Sequence, residues 1–129
     1  MGMGKSPGHR QHPDHKVTEV PVRAHMTVEL DGQTLADSHD VVRVDESGHP
    51  ARFYFPRGDV AMQDLQPSAT TSECPFKGTA RYFSIRTGQH PLDDAVWSYE
   101  DPYDEHRGLA GRVAFDAAKS PDLRIRSVS

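Results

Sequence analysis

Residues 22–38 read VRAHMTVELDGQTLADS, two alternating runs joined by Asp31-Gly32. Asp-Gly in that setting is the strongest short signal for a two-residue β-hairpin, because both turn positions must tolerate positive φ. Val22, Ala24, Met26, Val28 and Leu30 share one parity, so a period of two puts them on one face of a strand. The return strand is QTLADS, and the pattern repeats down the chain. VVRV at 41–44 and ARFYF at 51–55 flank a turn at 45–50, and PRGD at 56–59 turns the chain again. Pro56 presets φ there and Gly58 relieves strain. Three more strands are predicted at 77–86, 94–99 and 111–116, and LRIRSV near the end can add an edge strand. The helical signal is short: Asp59 can cap VAMQDL, which stops near Pro67. Strands without long helices between them do not fit a doubly wound parallel sheet. The expected fold is mainly β, a single compact antiparallel β domain with one short helix.

Ahead of this pattern, residues 1–21 hold three prolines, three glycines and three histidines, with little that is apolar. Such a segment buries too little surface to offset its ordering entropy, so a flexible or extended N-terminal arm is expected. The expected organisation is an arm at 1–21, a β domain at 22–116 and a C-terminal extension at 117–129. His9, His12 and His15 lie three apart, and in a flexible tail that spacing builds no fixed ligand geometry. Gly4-Lys5-Ser6 mimics the end of a phosphate-binding loop but lacks the earlier glycine and the preceding strand.

The net charge of −4 gives no general attraction to nucleic acid or anionic membrane. No apolar run approaches the ~18 residues of a membrane span, and no apolar stretch follows the first positive charges as a secretory leader requires. A single cysteine leaves no intramolecular disulfide and no cysteine-rich zinc site, and fits a reducing cytoplasm. No cofactor or metal is expected from these signals.

That cysteine opens TSECPFKGTARYFSI. On the 77–86 strand Gly78, Ala80 and Tyr82 share a face with Phe76 and Cys74, and the small pair Gly78 and Ala80 leaves room above it. Trp97 and Tyr99, which share a face of their own strand, are the candidates to fill that room, as packed core or as the wall of a pocket. Cys74 is either a small buried hydrophobe or an accessible thiolate steadied by Lys77 or Arg57. Glu100, Asp101, Asp104 and Glu105 crowd beside Tyr99 and Tyr103; they read as a solvated acidic loop, as acid–base groups or as divalent-cation ligands.

YFPRGDV, CPFKGTARYFSI, AVWSYEDPY and GRVAFD together resemble the domain-of-unknown-function 427 family over about residues 22–116. GKSPGH and PDHKV resemble the arm that precedes the domain in many members. The resemblance implies a compact β domain similar to the Mss4-like or β-tent folds. Zinc proteins and methionine sulfoxide reductases share that architecture, and their paired zinc cysteines are missing here. The family also carries a nucleotidyltransferase label, for which this sequence has neither a glycine-serine nucleotide loop nor an Asp-x-Asp pair. Its motifs fall on Arg57, Asp59, Thr71, Cys74, Lys77, Gly78, Tyr82, Trp97, Tyr99, Glu100 and Tyr103.

The expected function is binding of a small molecule, as yet unknown, in an aromatic-lined cleft. Arg57, Tyr82, Trp97, Tyr99 and Tyr103 are the candidate ligand-binding residues. An enzyme is the sharper form, with Cys74 as nucleophile, Lys77 beside it and Glu100 as acid–base group. The alternative is a protein-interaction module whose aromatics are core and whose strand edges take partners. Exposed edges also permit a homodimer.

Overall fold

The computed structural model describes residues 4–87 and 91–128; residues 1–3 of the arm and Ser129 of the C-terminal extension lie outside it. One turn of α-helix, α1 (Pro7–Gln11), comes first. Ser6 caps it by accepting the His9 N–H, and Pro7 takes the first turn, where a missing N–H does no harm. Among the described residues ten strands follow: β1 (Val17–Val22), β2 (Met26–Leu30), β3 (Gln33–Ser38), β4 (Val41–Glu46), β5 (Arg52–Phe55), β6 (Leu65–Cys74), β7 (Gly78–Ile85), β8 (Leu92–Ser98), β9 (Val113–Phe115) and β10 (Leu123–Ser127). They form a seven-stranded sheet, β1-β4-β5-β9-β8-β7-β6, and a three-stranded sheet, β10-β2-β3. Each pair of neighbours runs antiparallel. The chain is the mainly β, antiparallel domain that its alternation predicts.

Four local readings are corrected. The run 22–30 is not one strand, because β1 ends at Val22, β2 starts at Met26, and the two belong to different sheets. Residues 17–21, assigned to the arm from composition, belong to the edge strand β1; Pro21 is accommodated because, among the described residues, β1 pairs on one side alone, with β4. The helix expected at VAMQDL is replaced by two 3-10 turns, Arg57–Asp59 and Met62–Asp64. Val60 bridges to Ala36 between them, and the Ala61 N–H donates to the Leu35 carbonyl at 2.8 Å, so tertiary pairing takes the backbone groups a helix would use. Asp59 caps nothing and accepts from the Ser38 hydroxyl at 2.7 Å. Finally, β8 begins at Leu92, ahead of the strand start expected at residue 94.

The large sheet has two buried faces. On one, Phe55, Phe83, Ile85, Val96 and Phe115 cluster with Met26, Val28, Leu30 and Leu123 of the small sheet. Each such side chain contributes roughly 1.5–3 kcal/mol when fully buried. On the other, Val44, Tyr54, Ala80, Tyr99, Leu109 and Ala114 form a second cluster. β4 and β7 stand four strands apart in the sheet, about 19 Å if the sheet were flat. Yet Lys77, in the turn between β6 and β7, touches Glu46 at the end of β4. The sheet therefore curls over its second face, and the curl makes a cleft.

Candidate functional site

One row of residues crosses the floor of that cleft. Tyr54 pairs with Ala114, Ala114 with Trp97, and Trp97 with Tyr82, so all four side chains leave the same face. Ala114 is the small member. Over it the Tyr54 and Trp97 rings lean together, 6.3 Å between centroids at 85°, and the Trp97 Nε1–H donates to the Tyr54 hydroxyl at 3.0 Å. Arg52 precedes Tyr54 by two residues on the same face, and its guanidinium lies 5.4 Å from the Trp97 ring centre. Tyr82 shares a hydrogen bond with Ser72 at 3.0 Å.

The other wall comes from the turn after β6. Lys77 is 6 % exposed, and its Nζ donates to Glu46 Oε1 at 2.6 Å while lying 5.8 Å from the Tyr99 ring centre. The second Glu46 oxygen meets His15 Nε2 at 3.0 Å and His49 Nε2 at 3.6 Å. Burial pushes the Glu46 carboxyl up, but the hydrogen bonds from Lys77 and His15 outweigh it and hold the carboxyl below its ordinary value. Burial raises the Tyr54 phenol well above its usual value against the opposing hydrogen bond from Trp97. Burial, then the neighbouring Tyr54 and Cys74, raise Tyr99 likewise. Two backbone bonds fix the turn: Tyr103 N–H to the Lys77 carbonyl at 3.0 Å, and Gly8 N–H to the Pro75 carbonyl at 2.8 Å. The enclosed space is about 300 Å³, at the lower end of the ~300–1,000 Å³ of ligand pockets.

Of the residues chosen from sequence, the fold brings Cys74, Lys77, Tyr82, Trp97 and Tyr99 to this one cleft. Cys74 is a free, half-buried thiol that both packs on the second cluster and lines the cleft. Gly78 leaves no gap on this face, because the Pro102 backbone covers it. Three candidates lie elsewhere. Arg57 donates to the Gly111 carbonyl and the Ser98 hydroxyl and lies over Phe83, a bracing role between strands. Glu100 is exposed in a separate groove with Thr79 and Arg81. Tyr103 serves through its backbone, and its ring is outside the cleft lining. The acidic run disperses: Asp101 pairs with Arg107, and Glu105 accepts the Ser6 N–H. Among the described residues no three His, Cys, Asp or Glu side chains gather as metal ligands.

Glu46, His49, Arg52, Tyr54 and Asp116 are the polar and aromatic cleft residues that sequence reading missed. A signal existed for three of them. Val42, Val44 and Glu46 continue one parity past the point where the strand was ended, and Arg52 and Tyr54 alternate within ARFYF.

A family model described as a domain of unknown function, DUF427, matches residues 18–125. No curated protein matches the chain.

Proposed function

The chain belongs to the DUF427 family, and we propose that it binds a small molecule in the curled-sheet cleft. The observation that carries this reading is the convergence of four aromatic side chains, Tyr54, Tyr82, Trp97 and Tyr99, with the Lys77–Glu46 pair and Cys74 around one space. Apolar walls with a few placed polar groups are the usual composition of a ligand site. Trp97 is the chain's one tryptophan and sits in the wall, so its fluorescence reports occupancy directly. A metabolite library is expected to contain compounds that change Trp97 emission and raise the melting temperature together; ligand at a hundredfold above Kd adds about 2.7 kcal/mol of stability. A broad library that moves neither signal would sink the reading.

An enzymatic form of this proposal uses Cys74 as the nucleophile facing the bound molecule, with the Lys77 ammonium at the same wall. Glu46 takes the place that Glu100 held in the sequence reading. The chain has one thiol, so alkylation of native against denatured protein across pH is unambiguous. Native reactivity with an apparent pKa well below about 8.5 supports the nucleophile; a thiol silent until unfolding removes it and leaves binding alone.

The rival reading, a protein-interaction module, draws on β6. That ten-residue strand is mostly exposed and, among the described residues, pairs on one side alone. An open edge of this kind can accept a partner strand.

A further inference from the structure

The hydrogen-bonding groups of the cleft are out of balance. Arg52 lines it with its guanidinium over Trp97, and that guanidinium makes no hydrogen bond or ion pair with any other described residue. The Tyr54 hydroxyl accepts from the Trp97 indole, which can only donate, so the Tyr54 proton still lacks an acceptor among the described residues. Tyr54 is 1 % exposed, and a buried donor left unmade is expensive. The Tyr99 hydroxyl makes no hydrogen bond among the described residues either, and it too lines the cleft. Against these donors stand few acceptors. Glu46 is taken by Lys77 and His15, with His49 close by. Asp116, also in the lining, has one oxygen engaged by the Ala118 N–H. Tyr82 is occupied by Ser72.

A site with surplus donors and an uncompensated guanidinium is complementary to an acceptor-rich anion. We propose that the cleft takes a small oxyanion with a flat apolar body, a carboxylate or a phosphate ester. Arg52 holds the anionic oxygens, the Tyr54 and Tyr99 hydroxyls complete their hydrogen bonding, and the flat body lies against the aromatic wall. Guanidinium–oxyanion contacts are charge-assisted and among the stronger hydrogen bonds available. Both phenols are protonated at neutral pH, as donors must be, and burial, which raises them further, extends that state to more alkaline pH. An indole N–H given to the Tyr54 oxygen also polarises its O–H toward the next acceptor. The opposite assignment, a cationic ligand in an aromatic cage, is disfavoured because Arg52 and Lys77 already lie over Trp97 and Tyr99.

This inference rests on the binding reading above, and its test separates the two. Benzoate, benzamide and phenyl phosphate are titrated into the whole chain while Trp97 emission is followed. Benzoate or phenyl phosphate is expected to bind at least tenfold more tightly than benzamide, and whichever of the two anions binds tighter identifies the source of the oxyanion. Arg52→Gln is expected to bring the anion down to the benzamide level, and Tyr99→Phe to weaken it severalfold, with circular dichroism unchanged in both. Benzamide equal to the anions, or anion affinity untouched by Arg52→Gln, overturns the oxyanion assignment and leaves a neutral-ligand cleft. If none of the three compounds shifts Trp97, the oxyanion assignment falls. Hits from the wider library would still uphold the cleft as a binding site, and their absence would remove that reading too.

Discussion

Glu46 holds together three parts of the chain: Lys77 from the β6–β7 turn, His15 from the arm and His49 from the β4–β5 turn. The two ends of the Lys77–Glu46 pair are therefore not equivalent. Glu46→Gln leaves a nearly buried ammonium with no anion beside it, which is expected to cost about 3 kcal/mol. Lys77→Met leaves Glu46 its two histidines, so the loss is expected to be nearer 1 kcal/mol. Urea denaturation of the two variants measures the difference; equal losses would show that Glu46 is not shared. The pH dependence has a definite sign. A carboxyl held below its ordinary 4.5 stabilises the fold above that pH, and the contribution is lost as pH falls through the lowered value. Glu46→Gln is expected to flatten stability against pH on the acid side of 4.5.

At the scale of elements, what the sequence made legible was whatever local chemistry decides. Asp31 and Gly32 carry φ of 52° and 82°, the left-handed pair that a two-residue hairpin needs. Nothing lies within 4 Å of a Cβ built on Gly32, so Gly32→Ala adds backbone strain alone. A loss of about 1–2 kcal/mol is expected in thermal melts, and no loss would mean that the turn readjusts freely. The edge strand at 123–127 was legible for the same reason, since its alternation is local. β6 was not. Pro67 opens a polar run without apolar alternation, and among the described residues only the side of β6 facing β7 is paired, with a register shift between Pro67 and Thr71. A strand of that kind is defined by its neighbour rather than by its own letters. The 60–65 segment fails in the converse way: its helical capping signal is overridden by pairing to residues 35 and 36. The cleft divides along the same line. Trp97 and Tyr82 were visible as same-face aromatics of their strands, whereas Glu46 and Arg52 acquire meaning only when the sheet curls and brings β4 opposite the 75–77 turn.

The arm extends that argument to the whole molecule. Its composition reads as disordered, yet residues 4–16 are held along the body at separated points. The Gly4 carbonyl accepts from Asp104 N–H at 2.8 Å, Ser6 N–H donates to Glu105 at 3.0 Å, and the His15 ring stacks on Phe76 at 4.2 Å. Gly8 passes so close to Pro75 that a Cβ would sit 2.6 Å from its carbonyl oxygen. His9 forms the most conditional contact. Its Nε2 lies 2.9 Å from His106 Nε2, while His106 Nδ1 lies 2.8 Å from Glu19; two ring nitrogens at that distance hold one proton between them, not two. Burial, and then His106, lower the His9 pKa from 6.5, against the opposing pull of Glu105 and Glu46, while His15 adds to the lowering. A histidine shifted down is neutral when docked and takes up a proton when released. Its contribution is complete above about 6.5 and is lost as pH falls below that value. The arm should therefore loosen in mild acid, before the body meets its own carboxylate transition below 4.5. Hydrogen exchange, corrected for intrinsic rates, is expected to show residues 4–16 losing protection between pH 7.5 and 5.5 while β7, β8 and β9 keep theirs. His9→Ala is expected to abolish that difference, and Gly8→Ala to remove arm protection at both pH values. Protection of the arm that is the same at pH 7.5 and 5.5 in the unaltered chain would show that the shared proton does not govern docking. Because the same strap clamps Pro75 and reaches Glu46 through His15, a loosened arm should also weaken whatever the cleft binds, and the Trp97 titration repeated at pH 5.5 tests that coupling on the unaltered protein.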